Sequence, residues 1–192
     1  MSTFTESVLA FEFAPDTPAI VLSAFAPWVL HDPETVDRDE PVTDLSTNEA
    51  SFNDDWESLV EDAMYTVDGG LELRRVVSSL SVEDLARVWR GWFGGVGDVA
   101  YFAGHASTTM MCRYGGRWAL TARTFHKEMP HVVAAIIAPL GRYADHDEEH
   151  HEGDPRFVGY LKYEYVPFPN LIWQVRRDHL RIDDLDKASE FY

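Results

Sequence analysis

Apolar and polar positions change their period several times along the chain, and each change marks an element. Over 8–13, Leu9, Phe11 and Phe13 alternate with Val8, Ala10 and Glu12, the period of a half-buried strand. Asp16-Thr17-Pro18 then reads as a helix start, with Thr17 as cap and Pro18 in the first turn. Yet 19–26 is apolar at every position but Ser23, so period does not separate strand from buried helix; Ile20, Val21 and Phe25 tip it toward strand. From 31 to 53 the chain is polar, acidic and without period, which predicts a long loop or insertion.

Helical spacing follows. Asn53 can cap a helix over 54–67, whose apolar stripe is Trp56, Leu59, Val60, Ala63 and Met64, with Asp68-Gly69-Gly70 as its stop. A second helical stretch covers 71–79. The strongest helical signal is 81–93, where Ser81 caps, Asp84 sits three residues on, and Val82, Leu85, Val88, Trp89 and Trp92 share a face.

After the glycines at 94, 95 and 97 the pattern turns to strands. One is expected over 99–105. Two more, 108–114 and 117–125, flank Gly115-Gly116, a two-residue loop suited to a type I′ turn. That register sets Arg113 opposite Trp118, Met111 opposite Leu120 and Cys112 opposite Ala119. The run 131–138 is apolar and ambiguous; 157–166 and 171–176 alternate, with a short strand at 180–182 and a terminal helix or tail over 183–192.

This order predicts an α+β fold in one domain, 1–192: a mainly antiparallel sheet with hairpins around 108–125 and 157–176, and two to three helices (54–67, 71–79, 81–93) packed on one face. The chain of 192 residues, 45% apolar, suffices for one real core. No apolar run reaches the ~20 residues of a membrane-spanning helix, and the first residues lack a basic segment, so a cytoplasmic protein is expected. The single cysteine, Cys112, permits no internal disulfide and no Cys-ligated zinc site; a packed, inert thiol is the expectation.

Charge alters the picture more than composition does. The net charge is −17, but residues 1–70 hold 16 acidic side chains against Arg38 alone, while 71–140 hold 5 acidic and 8 basic. Acidity with scarce lysine also suits a salt-adapted cytoplasm, although adaptation would spread it more evenly. The acidic excess opposes a nucleic-acid partner and favours a basic protein, with Asp37, Asp39, Glu40, Asp44, Asp54 and Asp55 as the binding patch. In charge profile alone, this is similar to small immunity or anti-restriction proteins that neutralise basic effectors.

The remaining clusters are weaker. The polar loop at 145–155 offers His146, His150 and His151 among carboxylates, donors that zinc, nickel or manganese accept; without a rigid scaffold, a solvated loop is the better reading and no cofactor is expected. Arg113, Arg117 and Arg123 with Trp118 form a basic, aromatic patch that could hold a nucleic-acid strand or pair internally with the acidic third. The glycines at 94–97 follow a helix rather than precede one, so they read as a helix stop and not a phosphate cradle. His105 with Ser107, and His126 with Lys127 and Glu128, lack any nucleophile-and-base motif. The favoured function is therefore a non-enzymatic acidic interaction protein. The alternative is an enzyme with a pocket over the sheet, metal-assisted through the His146–Asp154 loop. A third reading is an assembly subunit that buries Phe11, Trp28, Trp92, Phe168 or Trp173 against another chain. Nothing in the pattern specifies an oligomeric state.

Overall fold

A computed structural model describes residues 4–30, 54–94, 108–145, 155–176 and 179–183. Six strands form one antiparallel sheet: β1 (Thr5–Glu12), β2 (Thr108–Tyr114), β3 (Arg117–His126), β4 (Arg156–Tyr163), β5 (Asn170–Arg176) and β6 (His179–Asp183), in the order β2-β3-β1-β4-β5-β6. The β2–β3 register is the expected one, with Arg113 opposite Trp118 and Met111 opposite Leu120. Gly115 (φ 57°) and Gly116 (φ 84°) supply the two left-handed positions that a type I′ turn demands. At the centre, Gly159 of β4 lies against β1 so closely that a Cβ there would sit 1.9 Å from the Val8 carbonyl oxygen. Only glycine permits that approach.

Alternation sorts the sheet into two faces. Leu9, Phe11, Met111, Leu120, Ala122, Leu161 and Ile172 join one hydrophobic cluster with the buried sides of the helices. Glu6, Val8, Ala10, Thr121 and Arg123 face away from it. The helices are α1 (Ala19–Ala24), α2 (Asp54–Tyr65), α3 (Val67–Ser79), α4 (Val82–Gly94) and α5 (Pro130–Ile137). Helix α4 is capped as expected: Asp84 N donates to Ser81 Oγ at 3.1 Å. Its Trp89, wholly buried, donates its indole N–H to Ile136 O at 3.0 Å and so locks α4 to α5. Helix α5 starts with Pro130 and is buried at every position from Val132 to Ile137, which is why its sequence shows no polar stripe.

Several boundaries differ from the sequence pattern. The apolar run 19–26 is not a strand but α1 followed by a 3₁₀ turn, Ala26–Trp28. Pro18, not Thr17, holds the cap position, and no side chain caps that end. The helical choice is secured from the other end and by another element. Arg90 of α4 donates from Nε to Ala24 O at 2.8 Å and from Nη2 to Ser23 O, satisfying carbonyls that a six-residue helix leaves open. Asp68-Gly69-Gly70 does not stop α2. The break is Thr66, whose Oγ1 accepts from Gly69 N at 2.8 Å, so these residues open α3 instead. The strand expected over 157–166 ends at Tyr163, and Glu164 beyond it accepts from Phe4 N at 3.3 Å. Cys112 is exposed, because Ala119 places it on the face away from the helices while its neighbour Met111 is wholly buried. The expected strand at 99–105, the 31–53 segment and all but the ends of the 145–155 loop lie outside the described residues, as does the 184–192 tail.

Candidate functional site

The helical hairpin of α2 and α3 carries six of the nine carboxylates of the acidic third that fall within the described residues. By sequence, residues 54–79 contain seven carboxylates, Asp54 and Asp55 among them at the start of α2, against Arg74 and Arg75. Glu61, Asp62, Asp68 and Glu72 are exposed. Arg75 engages Glu72, with Nε 2.8 Å from Oε2, and this hydrogen bond holds the Glu72 carboxyl below the ordinary carboxylate range. Among the described residues, no ion pair engages Glu61, Asp62 or Asp68. Asp37, Asp39, Glu40 and Asp44 lie outside the described residues, and so do His146, His150 and His151.

Beside these carboxylates runs an apolar groove of about 360 Å³, where the α2–α3 junction meets the start of α5. Met64, Tyr65, Val67 and Leu71 line it, with Arg74 and His131. Tyr65 is 77% exposed, Val67 82% and Leu71 59%, the largest apolar exposures on the helices. Helical geometry explains why they stand out. Leu73 and Val77 bury one stripe of α3, while Val67, Leu71 and Arg74, spaced by four and three, form a second stripe turned away from it. His131 holds its ring in place through Nε2, 2.8 Å from Ala63 O. Gly70 leaves the groove open, since a Cβ there would meet His131 at 3.5 Å, ordinary contact distance. The sequence reading missed this groove. Its signal was two apolar residues, Val67 and Leu71, off the buried stripe of their own helix.

The basic, aromatic patch does not form a single surface. Arg113 and Trp118 face each other on the helix side of the hairpin tip, while Arg117 and Arg123 point to the opposite face. The latter two meet carboxylates. Arg123 Nε lies 2.6 Å from Glu6 Oε1, with its guanidinium 4.9 Å from the Phe125 ring centre. Arg117 pairs with Asp145, and with Glu12 at 3.7 Å. Glu6 and Glu12 of the acidic third thus serve internal pairing, while Glu61, Asp62 and Asp68 face solvent.

Four of the six polar residues buried among the described ones gather on the helix side of β1 and β3: Thr5, Ser7, Thr124 and His126. His126 is 5% exposed, stacks on Trp92 at 4.3 Å, and has Nε2 2.7 Å from Thr124 Oγ1. Burial pushes its imidazole down to about 3, so it is neutral at physiological pH and shut away from a solvent-borne substrate. Ser7 Oγ and the Trp92 indole N–H are buried with no hydrogen-bond partner among the described residues. Of the residues considered for an assembly contact, Phe11 is buried in the core and Trp28 and Trp92 pack against it, while Phe168 is 53% exposed. No group of three or more metal-ligating side chains is present among the described residues. No family model, no curated protein and no solved structure matches the chain.

Proposed function

We propose that this chain is a non-enzymatic binding protein whose acidic surface engages a basic protein partner. One observation carries the reading: Glu61, Asp62 and Asp68 stand exposed on α2 and α3, in no ion pair among the described residues, beside exposed apolar side chains. Glu6 and Glu12, by contrast, pair with the hairpin arginines. Uncompensated charge at a surface raises encounter rates with an oppositely charged partner and excludes others of like sign. Asp54 and Asp55 extend the same charge toward the start of α2, and Asp37, Asp39, Glu40 and Asp44 add to it in sequence.

The test is capture of basic proteins on immobilised chain, comparing the native sequence with an E61Q/D62N/D68N variant and with one neutralised at Asp37, Asp39, Glu40, Asp44, Asp54 and Asp55. Retention at about 50 mM salt that falls steeply by about 300 mM, and that both variants weaken, is expected from screened charge pairing. Equal retention of the same proteins by all three chains would sink the reading.

A further inference from the structure

We infer that the groove beside α2 and α3 seats a cationic amphipathic helix of that basic partner, whose apolar side chains lie against Tyr65, Val67 and Leu71. The inference rests on the binding reading above and names the form of the partner at this site.

Three observations lead there. First, the apolar exposure is concentrated: Tyr65, Val67 and Leu71 fall within seven consecutive residues and line one groove of about 360 Å³. Contiguous apolar surface rimmed by polar residues marks an interaction site, whereas single exposed apolar residues do not. Second, the groove is walled by helices. Its lining belongs to α2, α3, the Thr66 junction and the first turn of α5, with no strand among them, so it offers no open sheet edge to an extended peptide. A helix arrives with its own backbone satisfied and needs only side-chain contact. Third, the charge around the groove is complementary. Glu61 precedes Met64 by three residues and Tyr65 by four, on one side of α2, and Asp68 and Glu72 border the Val67–Leu71 stripe on α3. Lysines or arginines flanking the apolar stripe of a bound helix would meet these carboxylates. Arg74, which also lines the groove, suits the carbonyl end of such a helix.

The prediction separates shape from charge. Two synthetic peptides of about 18 residues and identical Leu, Ala and Lys content serve as probes. One places leucines at i, i+3, i+4 and i+7; the other scrambles them around the helix. Binding is read by fluorescence anisotropy, with amide shifts of residues 65–71 as the map of location. The amphipathic peptide is expected to bind at least about 10-fold tighter than the scrambled one. Gly70→Leu, which fills the groove, should remove that difference while leaving the weaker, salt-sensitive binding of the scrambled peptide unchanged. Val67→Ser with Leu71→Ser, both at exposed positions, should do the same and stands in if Gly70→Leu disturbs α3. Equal affinity for the two peptides, or a preference that both variants retain, overturns the groove and leaves the charge reading intact. If neither peptide binds at low salt, both readings are overturned.

Discussion

At the scale of single residues, burial and exposure give sharp expectations. His126 is neutral in the folded chain down to about pH 3, whereas in the unfolded chain it takes a proton below the ordinary histidine value of 6.5. Between those values the unfolded state binds the extra proton. The stabilisation from a neutral, buried imidazole is therefore present above pH 6.5 and is lost as pH falls toward 3, by up to about 1.4 kcal/mol per pH unit. Urea titrations at descending pH should show this loss, and His126→Phe should flatten the His126 part of it. That variant keeps the ring stack on Trp92 and costs about 1 kcal/mol at neutral pH for the lost contact to Thr124. An unchanged slope in the variant would mean that other groups carry the pH dependence. Cys112 makes a second prediction. It is exposed on the face away from the helices, so native chain should react with a maleimide to one equivalent without denaturant. A thiol that reacts only in urea would contradict its placement.

At the scale of elements, two neighbouring glycines in α3 have opposite roles. A Cβ at Gly69 would sit 2.7 Å from the backbone of Asp62, so glycine is what lets α3 cross α2 this closely. At Gly70 a Cβ has room. Gly69→Ala should therefore destabilise by about 1–3 kcal/mol through overpacking, while Gly70→Ala should stabilise by up to about 1 kcal/mol through helix propensity. Thermal unfolding of the two variants, run side by side, checks the pair; the same sign for both would refute the crossing geometry. The pair also shows the limit of pattern reading. Two adjacent glycines look like a helix stop, yet here Thr66 makes the break and the glycines open the next helix. Glycine's meaning depends on what approaches it, and that comes from another turn of chain.

At the scale of the molecule, a charge of −17 opposes the compact state by self-repulsion. The ion pairs among the described residues, such as Glu6 with Arg123 and Glu12 with Arg117, are partly exposed and individually weak. Raising salt from about 10 mM to about 200 mM at neutral pH should therefore raise the urea midpoint, because screening relieves more repulsion than it costs in attraction. A lower midpoint in salt would mean that the attractive pairs dominate. The same accounting bears on function. Of the described carboxylates of the acidic third, Glu6 and Glu12 meet arginines of β3, while Glu61, Asp62 and Asp68 on α2 and α3 are exposed and are the ones proposed to meet a basic partner.

The local sequence by itself determined the β2–β3 hairpin and its register, helix α4 and its Ser81 cap, the strands around 157–176, and the α+β order of elements. Each rests on short-range chemistry: the period of a half-buried strand, left-handed positions that glycines fill, a hydroxyl three residues from an amide. Tertiary structure decided the rest. The runs at 19–26 and 130–137 are apolar all round, so no period speaks, and only Arg90's reach to the end of α1 and the burial of α5 settle them as helices. Cys112 and Met111 are alternate positions on an edge strand apolar on both sides, and the helices' choice of one sheet face buries Met111 and exposes Cys112. That same choice divides the arginines of the hairpin between two faces. The groove beside Tyr65, Val67 and Leu71 arises only where three helices meet, and no single stretch of chain records where another will pass.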